Sequence, residues 1–187
     1  MPGDTFSVLT VCTGNVCRSP AVERLLATRL GPTVSVASAG THALVGHPVS
    51  EPMAMLLRNR GIEDVPFRAR RLSERMLKEA DLVLPLTRAQ RSLVVDLWPA
   101  AVRRTFTLRE FARLLDWVDP STLPAGTPAN RLRAAVPMAA ALRAGVMTSA
   151  SEDDVIDPFR LGDEVYAASF GQITSAVDRI SRTLLSG

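Results

Sequence analysis

The chain has 187 residues, a net charge of +3 and an apolar fraction of 47%. These values suit one folded domain, residues 1–187, around a single core, and no stretch approaches the roughly 18 consecutive apolar residues of a membrane span. No basic segment followed by a long apolar run opens the chain, and two cysteines in one loop cannot staple distant elements, so the expected setting is a reducing cytoplasm.

Apolar, β-branched runs alternate with helix-like stretches along the chain. Residues 6–11 read as a buried strand, and 20–30 as a helix with proline at its start and Gly31 at its end. Val22, Leu25, Leu26 and Leu30 recur there at helical spacing. A second strand is expected at 34–37. A helix follows at 51–60, with Ser50 as its N-cap and Gly61 as its terminator. Short helices are expected at 73–79, 87–97 and 108–115, and strands at 82–86 and 104–107. A long helix closes the chain at 162–185. Strands alternating with helices predict an α/β fold, a parallel sheet covered on both faces.

Residues 119–156 break the pattern. Pro120, Pro124, Pro128 and Pro137 interrupt them and alanines fill them. We read this stretch as an insertion within the domain. It holds a helix at 130–144 that Pro137 would kink and an acidic solvated loop at 151–154.

Positive charge is nearly all arginine, with Lys78 the only lysine. Arg68, Arg70 and Arg71 form a cluster able to attract acidic ligands. The basic residues lack the interleaved aromatics of a single-strand binder and any nucleic-acid motif. Neither nucleic acid nor membrane is expected as a partner.

The chemistry concentrates in Cys12-Thr13-Gly14-Asn15-Val16-Cys17-Arg18-Ser19, between the first strand and the first helix. Amides at a helix start lack intrahelical partners and face the positive end of the dipole, which makes an anion cradle. Such a cradle also stabilises a thiolate. Cys12 supplies a nucleophile, and the backbone N–H groups from Thr13 to Arg18 can form a nest. The Arg18 guanidinium can hold two phosphoryl oxygens at once. Gly14 and Asn15 tolerate the left-handed backbone of a tight cradle. The Ser19 hydroxyl can donate to the sulfur. Oxyanion donors of this kind contribute roughly 3–4 kcal/mol each. Metal binding lacks both the soft ligands and the spacing.

The loop, extended by Val11 and Pro20, resembles the phosphate-binding loop of the low-molecular-weight protein tyrosine phosphatases. Ser38-Ala39-Gly40-Thr41 resembles the segment that follows in that family, and Asp157-Pro158-Phe159 its Asp-Pro-Tyr general-acid loop. The resemblance implies a three-layer αβα, phosphatase-I-like fold with a four-stranded parallel sheet, and no metal or cofactor. It implies that Cys12 forms a phosphocysteine, that Arg18 and the loop amides hold the phosphoryl group, and that Asp157 serves as general acid. A phosphorylated protein, through phosphotyrosine, is the implied substrate. Residues alone leave Asp153 and Asp154 as rivals of Asp157. It also implies a reversible Cys12–Cys17 disulfide, with simple packing of Cys17 beneath the loop as the other reading. Phe159 stands where the family has tyrosine, and His42 where many members carry an aromatic wall residue. Phe159 and His42 are therefore the expected substrate wall.

Three other functions stay open. Arsenate reductases of similar sequence need further cysteines, and none lies outside the loop. Protein arginine phosphatases carry threonine where this chain has Val16. A phosphate-binding module would need neither nucleophile nor acid.

Overall fold

The structure, a computed structural model, describes residues 5–62, 66–146 and 150–186. Three parallel strands form its sheet: β1 (Phe6–Cys12), β2 (Val34–Gly40) and β3 (Leu82–Pro85), in the order β2-β1-β3. The register pairs Phe6 with Val34 and Cys12 with Gly40, and Val8 with Leu82. The helices are α1 (Arg18–Leu30), α2 (Glu51–Asn59), α3 (Glu74–Glu79), α4 (Arg88–Leu97), α5 (Leu108–Leu115), α6 (Pro128–Leu142) and α7 (Asp163–Leu185).

Period-two alternation divides the strand side chains between two layers. Phe6, Val8, Cys12, Leu82 and Leu84 face the larger core, built with α1, α5, α6 and α7. Leu9, Val11, Ala39 and Val83 face the smaller one, with Leu77 of α3 and Val94 of α4. The three-layer αβα architecture is as expected.

The expected fourth strand at 104–107 is not there. Val83 pairs with Thr105 in one parallel bridge, closed by the Phe106 N–H donating to the Val83 carbonyl at 3.1 Å. Local structure takes the flanks. Pro99–Arg104 form a 3-10 turn, and the Thr105 hydroxyl bonds back to the Ala101 carbonyl at 2.8 Å. Thr107 caps α5 in a reciprocal capping box with Glu110. Two residues remain for the sheet.

Helix limits also shift. α1 starts at Arg18, two residues before the expected proline, so Pro20 sits in the first turn where its missing N–H loses nothing. Gly31 and Gly61 adopt the left-handed φ of 70° and 73° that closes a helix. In the stretch 119–156, described apart from 147–149, α6 begins at Pro128 and runs through Pro137 to Leu142. Buried Arg131 of α6 donates to the carbonyls of Pro120, Pro124, Thr183 and Ser186, which ties the end of α7 to this stretch.

The acidic segment is not a solvated loop. Asp153 is buried against Arg113 and accepts three bonds from it at 3.1–3.3 Å. Asp154 accepts the Arg88 N–H at 2.7 Å, at the start of α4. Nor is the arginine cluster wholly free: Arg68 and Arg70 donate to the carbonyls of Gly46 and Ser38.

Among the described residues Glu110 is the other buried anion, its side chain 4% exposed, between Arg91 at 2.9 Å and Arg143 at 2.8 Å. Removing it would leave two cations uncompensated and undo the cap of α5. Glu110→Ala should therefore lower stability by about 3–5 kcal/mol, read as a shift of the urea midpoint at unchanged slope.

Candidate active site

Residues 12–19 join β1 to α1 at the carboxyl end of the sheet, where open α/β sheets place their ligands. The loop turns its carbonyls outward. Those of Cys12, Thr13, Gly14 and Val16 accept from the N–H groups of Thr41, His42, Leu44 and Ser50, at 2.7–3.0 Å. With the oxygens engaged on the outside, the loop amides are left to face the interior. The Asn15 N–H already points at the Cys12 sulfur, 3.3 Å away.

Asn15 holds the turn. Its φ of 55° is left-handed, and its side chain is fully buried. The Arg70 N–H donates to Asn15 Oδ1 at 2.9 Å, which fixes the orientation of the amide because a backbone N–H can only donate. Asn15 Nδ2 must then donate to Ser19 Oγ and Ser38 Oγ, both at 2.9 Å. Ser19 Oγ, already accepting, lies 3.0 Å from Cys12 Sγ and 3.5 Å from the Ala39 carbonyl. The shorter contact directs its proton to the sulfur. Gly40 lets the wall approach: a Cβ there would lie 2.5 Å from the Thr13 carbonyl and 3.0 Å from Ala43.

Arg18 is buried at the first position of α1. Its Nη1 donates to the Val155 carbonyl at 3.1 Å, and its Nη2 pairs with Asp157 Oδ2. Its Nε is buried with no partner among the described residues. A cavity of about 120 Å³ opens over the loop. Cys12, Val16 and Arg18 line it with His42, Leu44, Asp157 and Phe159. Asp157 is thus separated from Asp153 and Asp154, which are bound elsewhere. Its carboxylate is half exposed and also accepts the Phe159 N–H at 3.2 Å.

Cys17 lies beneath, with Ser50 Oγ at 3.1 Å and the Tyr166 hydroxyl at 3.5 Å from its sulfur. Burial pushes its thiol above the usual range, and burial raises the Tyr166 phenol likewise. Ser50 stands at the N-cap of α2 as expected, but its hydroxyl serves Cys17 rather than the helix. Several contributors were not anticipated. Leu44 walls the cavity, and Gln90 of α4 donates to Thr13 Oγ1 at 3.0 Å while accepting the Leu86 N–H. Neither has a local signal, because each meets the loop across many residues. No described helix is long and apolar enough to cross a membrane.

A parallel α/β sheet with a thiol and an arginine in an anion cradle at its carboxyl edge defines a class of cysteine-based phosphoryl-transfer folds. The sequence model of the low molecular weight phosphotyrosine protein phosphatases matches residues 7–123. The chain belongs to that family, an enzyme family of phosphoric monoester hydrolases. Among relatives, a protein-arginine-phosphatase of Geobacillus stearothermophilus is 29% identical over 179 residues, 96% of each chain. The low molecular weight protein-tyrosine-phosphatase Etp of Escherichia coli K12 is 37% identical over 114 residues, 61% of this chain and 76% of that one. The YwlE arginine phosphatase from Geobacillus stearothermophilus superposes with a TM-score of 0.71 at 29% identity, over 97% of this chain and 94% of its own. The tyrosine phosphatase Wzb from Escherichia coli K30 shares the fold with a TM-score of 0.69 at 23% identity, over 96% and 99%.

The contact at Gly40 sets a test. The three atoms nearest the added methyl, the Thr13 carbonyl oxygen and Ala43 Cα and Cβ, are backbone or fixed directly to it, so the loop must yield. Gly40→Ala should cut turnover of an aryl phosphate by about a hundredfold, with a smaller stability loss of roughly 1–3 kcal/mol, measured by steady-state kinetics and urea unfolding.

Proposed function

We propose that this chain is a cysteine-dependent protein phosphatase acting on phosphotyrosine through a phosphocysteine intermediate. One observation carries the reading: Cys12, its sulfur hydrogen-bonded by Ser19, lines the same cavity as Arg18 and Asp157. The Cys12 thiolate attacks phosphorus while the bond to the leaving oxygen breaks, and Asp157 gives that oxygen its proton. Water then attacks the phosphocysteine, Asp157 takes its proton, and the sulfur leaves as thiolate. The equatorial oxygens lie against the loop amides and the Arg18 guanidinium, whose buried Nε has no other partner among the described residues. Arg18 holds Asp157 through Nη2. A phosphoryl group that draws on the same guanidinium releases the carboxyl toward the leaving oxygen.

The chemistry of the walls supports an aryl leaving group. Val16, Leu44 and Phe159 are apolar, His42 lies beside them, and Asp157 is the one carboxylate among the lining residues. A phenyl ring suits these apolar walls, whereas a guanidinium would find Asp157 as the single carboxylate acceptor among the lining residues. Phosphoarginine is the second reading, favoured by the likeness of nearly the whole chain to an arginine phosphatase. Arsenate reduction lacks a relay cysteine outside the loop. We read residues 119–156 as part of a single phosphatase domain, since α6 packs on α5 and α7, and as an insertion only with respect to relatives such as Etp, whose likeness spans 114 residues; no described residue of 119–156 lines the cavity. Cys17 lines the same cavity as Cys12, which supports its reversible pairing with Cys12 under peroxide, and a reducing cytoplasm, where both thiols would stay free, is the setting we propose.

Purified protein should hydrolyse aryl phosphates in the presence of a chelator, and Cys12→Ser should abolish turnover. Asp157→Ala should slow phenyl phosphate by about a hundredfold but p-nitrophenyl phosphate much less. Equal slowing of both would remove Asp157 from the acid role.

Substrate choice has its own test. A phosphotyrosine peptide should exceed a phosphoarginine peptide in kcat/KM by about tenfold or more, and Val16→Thr should narrow that ratio. A wild-type preference for phosphoarginine would reassign the substrate and leave the phosphocysteine chemistry standing.

A further inference from the structure

We infer that Arg160 makes the mouth of the cavity a reader of acidic residues, so that the enzyme favours phosphopeptides with a carboxylate beside the phosphorylated residue. The inference deepens the phosphopeptide reading above and rests on it. Three observations meet at this position.

The first is backbone geometry. Among the described residues only Asn15 and Arg160 are non-glycine with positive φ, at 55° and 61°. A long unbranched side chain rarely sits there, and such conformations cluster where structure serves function. The hydrogen bonds of Asn15 account for its φ. Nothing comparable holds Arg160, although the Leu161 N–H closes the turn on the Pro158 carbonyl at 2.9 Å.

The second is placement. The Arg160 guanidinium stacks over the Phe159 ring, 5.1 Å from its centroid. Phe159 lines the cavity. The charge is thereby moored to the wall against which the substrate ring would lie.

The third is availability. Among the described residues no carboxylate pairs with Arg160. Asp157, three positions earlier, is held by Arg18 and the Phe159 N–H. Asp163 and Glu164 open α7, where acidic residues suit the helix dipole. Leu161 next to Arg160, Ile156 four residues before it and Val45 beside the cavity-lining Leu44 are exposed apolar residues. An extended peptide laid across the mouth finds apolar contacts and one planar cation able to take a carboxylate in bidentate fashion.

The test compares two phosphotyrosine peptides, one with glutamate on both sides of the phosphoresidue and one with glutamine there. In the wild type the acidic peptide should show the higher kcat/KM, by roughly three- to fivefold and through KM. The difference should fade in about 0.5 M NaCl. In Arg160→Gln the ratio should fall to about one, and Arg160→Gly, which adopts positive φ without strain, should behave the same way. Arg160→Lys should keep part of the preference. A ratio unchanged in both the glutamine and glycine variants, or a preference indifferent to salt, would overturn the inference. Turnover of the neutral peptide by the wild type reports separately on the phosphatase reading: its absence would sink that reading, whereas the ratio speaks only to Arg160.

Discussion

A loop that must offer its N–H groups to an anion needs somewhere else to put its carbonyls. Here the segment 41–50 takes them: four carbonyls of the loop accept four N–H groups from it. Everything else at the site depends on that exchange. It sets which way the amides face, it brings His42 and Leu44 to the rim, and it places Ser50 against Cys17. Asn15 completes the constraint from inside, since its amide joins the loop to β2 and to Arg70 at once. The cradle is thus a product of two crossing sets of hydrogen bonds, one of backbone and one of a single buried side chain.

Arginine has a use here that its abundance did not disclose. Besides pairing with carboxylates, it serves repeatedly as a donor to backbone carbonyls that regular structure leaves over. Arg18 takes Val155, Arg70 takes Ser38, Arg113 takes Val146, and Arg131 takes four carbonyls around the end of α7. The planar fork suits this work because its several donors point in fixed directions. Lysine would supply the charge without that geometry.

The core of the site was legible because its signals are local. The apolar run of β1, the octapeptide and the first turn of α1 are contiguous, whereas Asp157 stood apart from Asp153 and Asp154 only through the family resemblance of Asp157-Pro158-Phe159. What lay hidden depends on contacts across the chain. Asp153 looked like a solvated neighbour of Asp157 until Arg113, forty residues earlier, neutralised it. Ser50 looked like an ordinary cap because nothing near it in sequence reveals Cys17. The fourth strand failed for the opposite reason. Residues 104–107 have strand-like composition, but the 3-10 turn before them and the capping box after them are stronger local structures, and the sheet keeps only the bridge at Thr105.

Arg18 has its partners at Val155 and Asp157, 137 and 139 residues further on, and Cys17 meets Tyr166 across 149. A nascent chain leaves the ribosome N-terminus first, so the thiol-bearing loop emerges long before the groups that complete it. Until the segment from Val155 to α7 has been synthesised and has docked, the loop lacks Asp157 and the other contacts of its arginine. Assembly of the site is thereby tied to the late-made part of the chain: a product truncated before Val155 carries Cys12 but not the groups that hold Arg18 and Cys17.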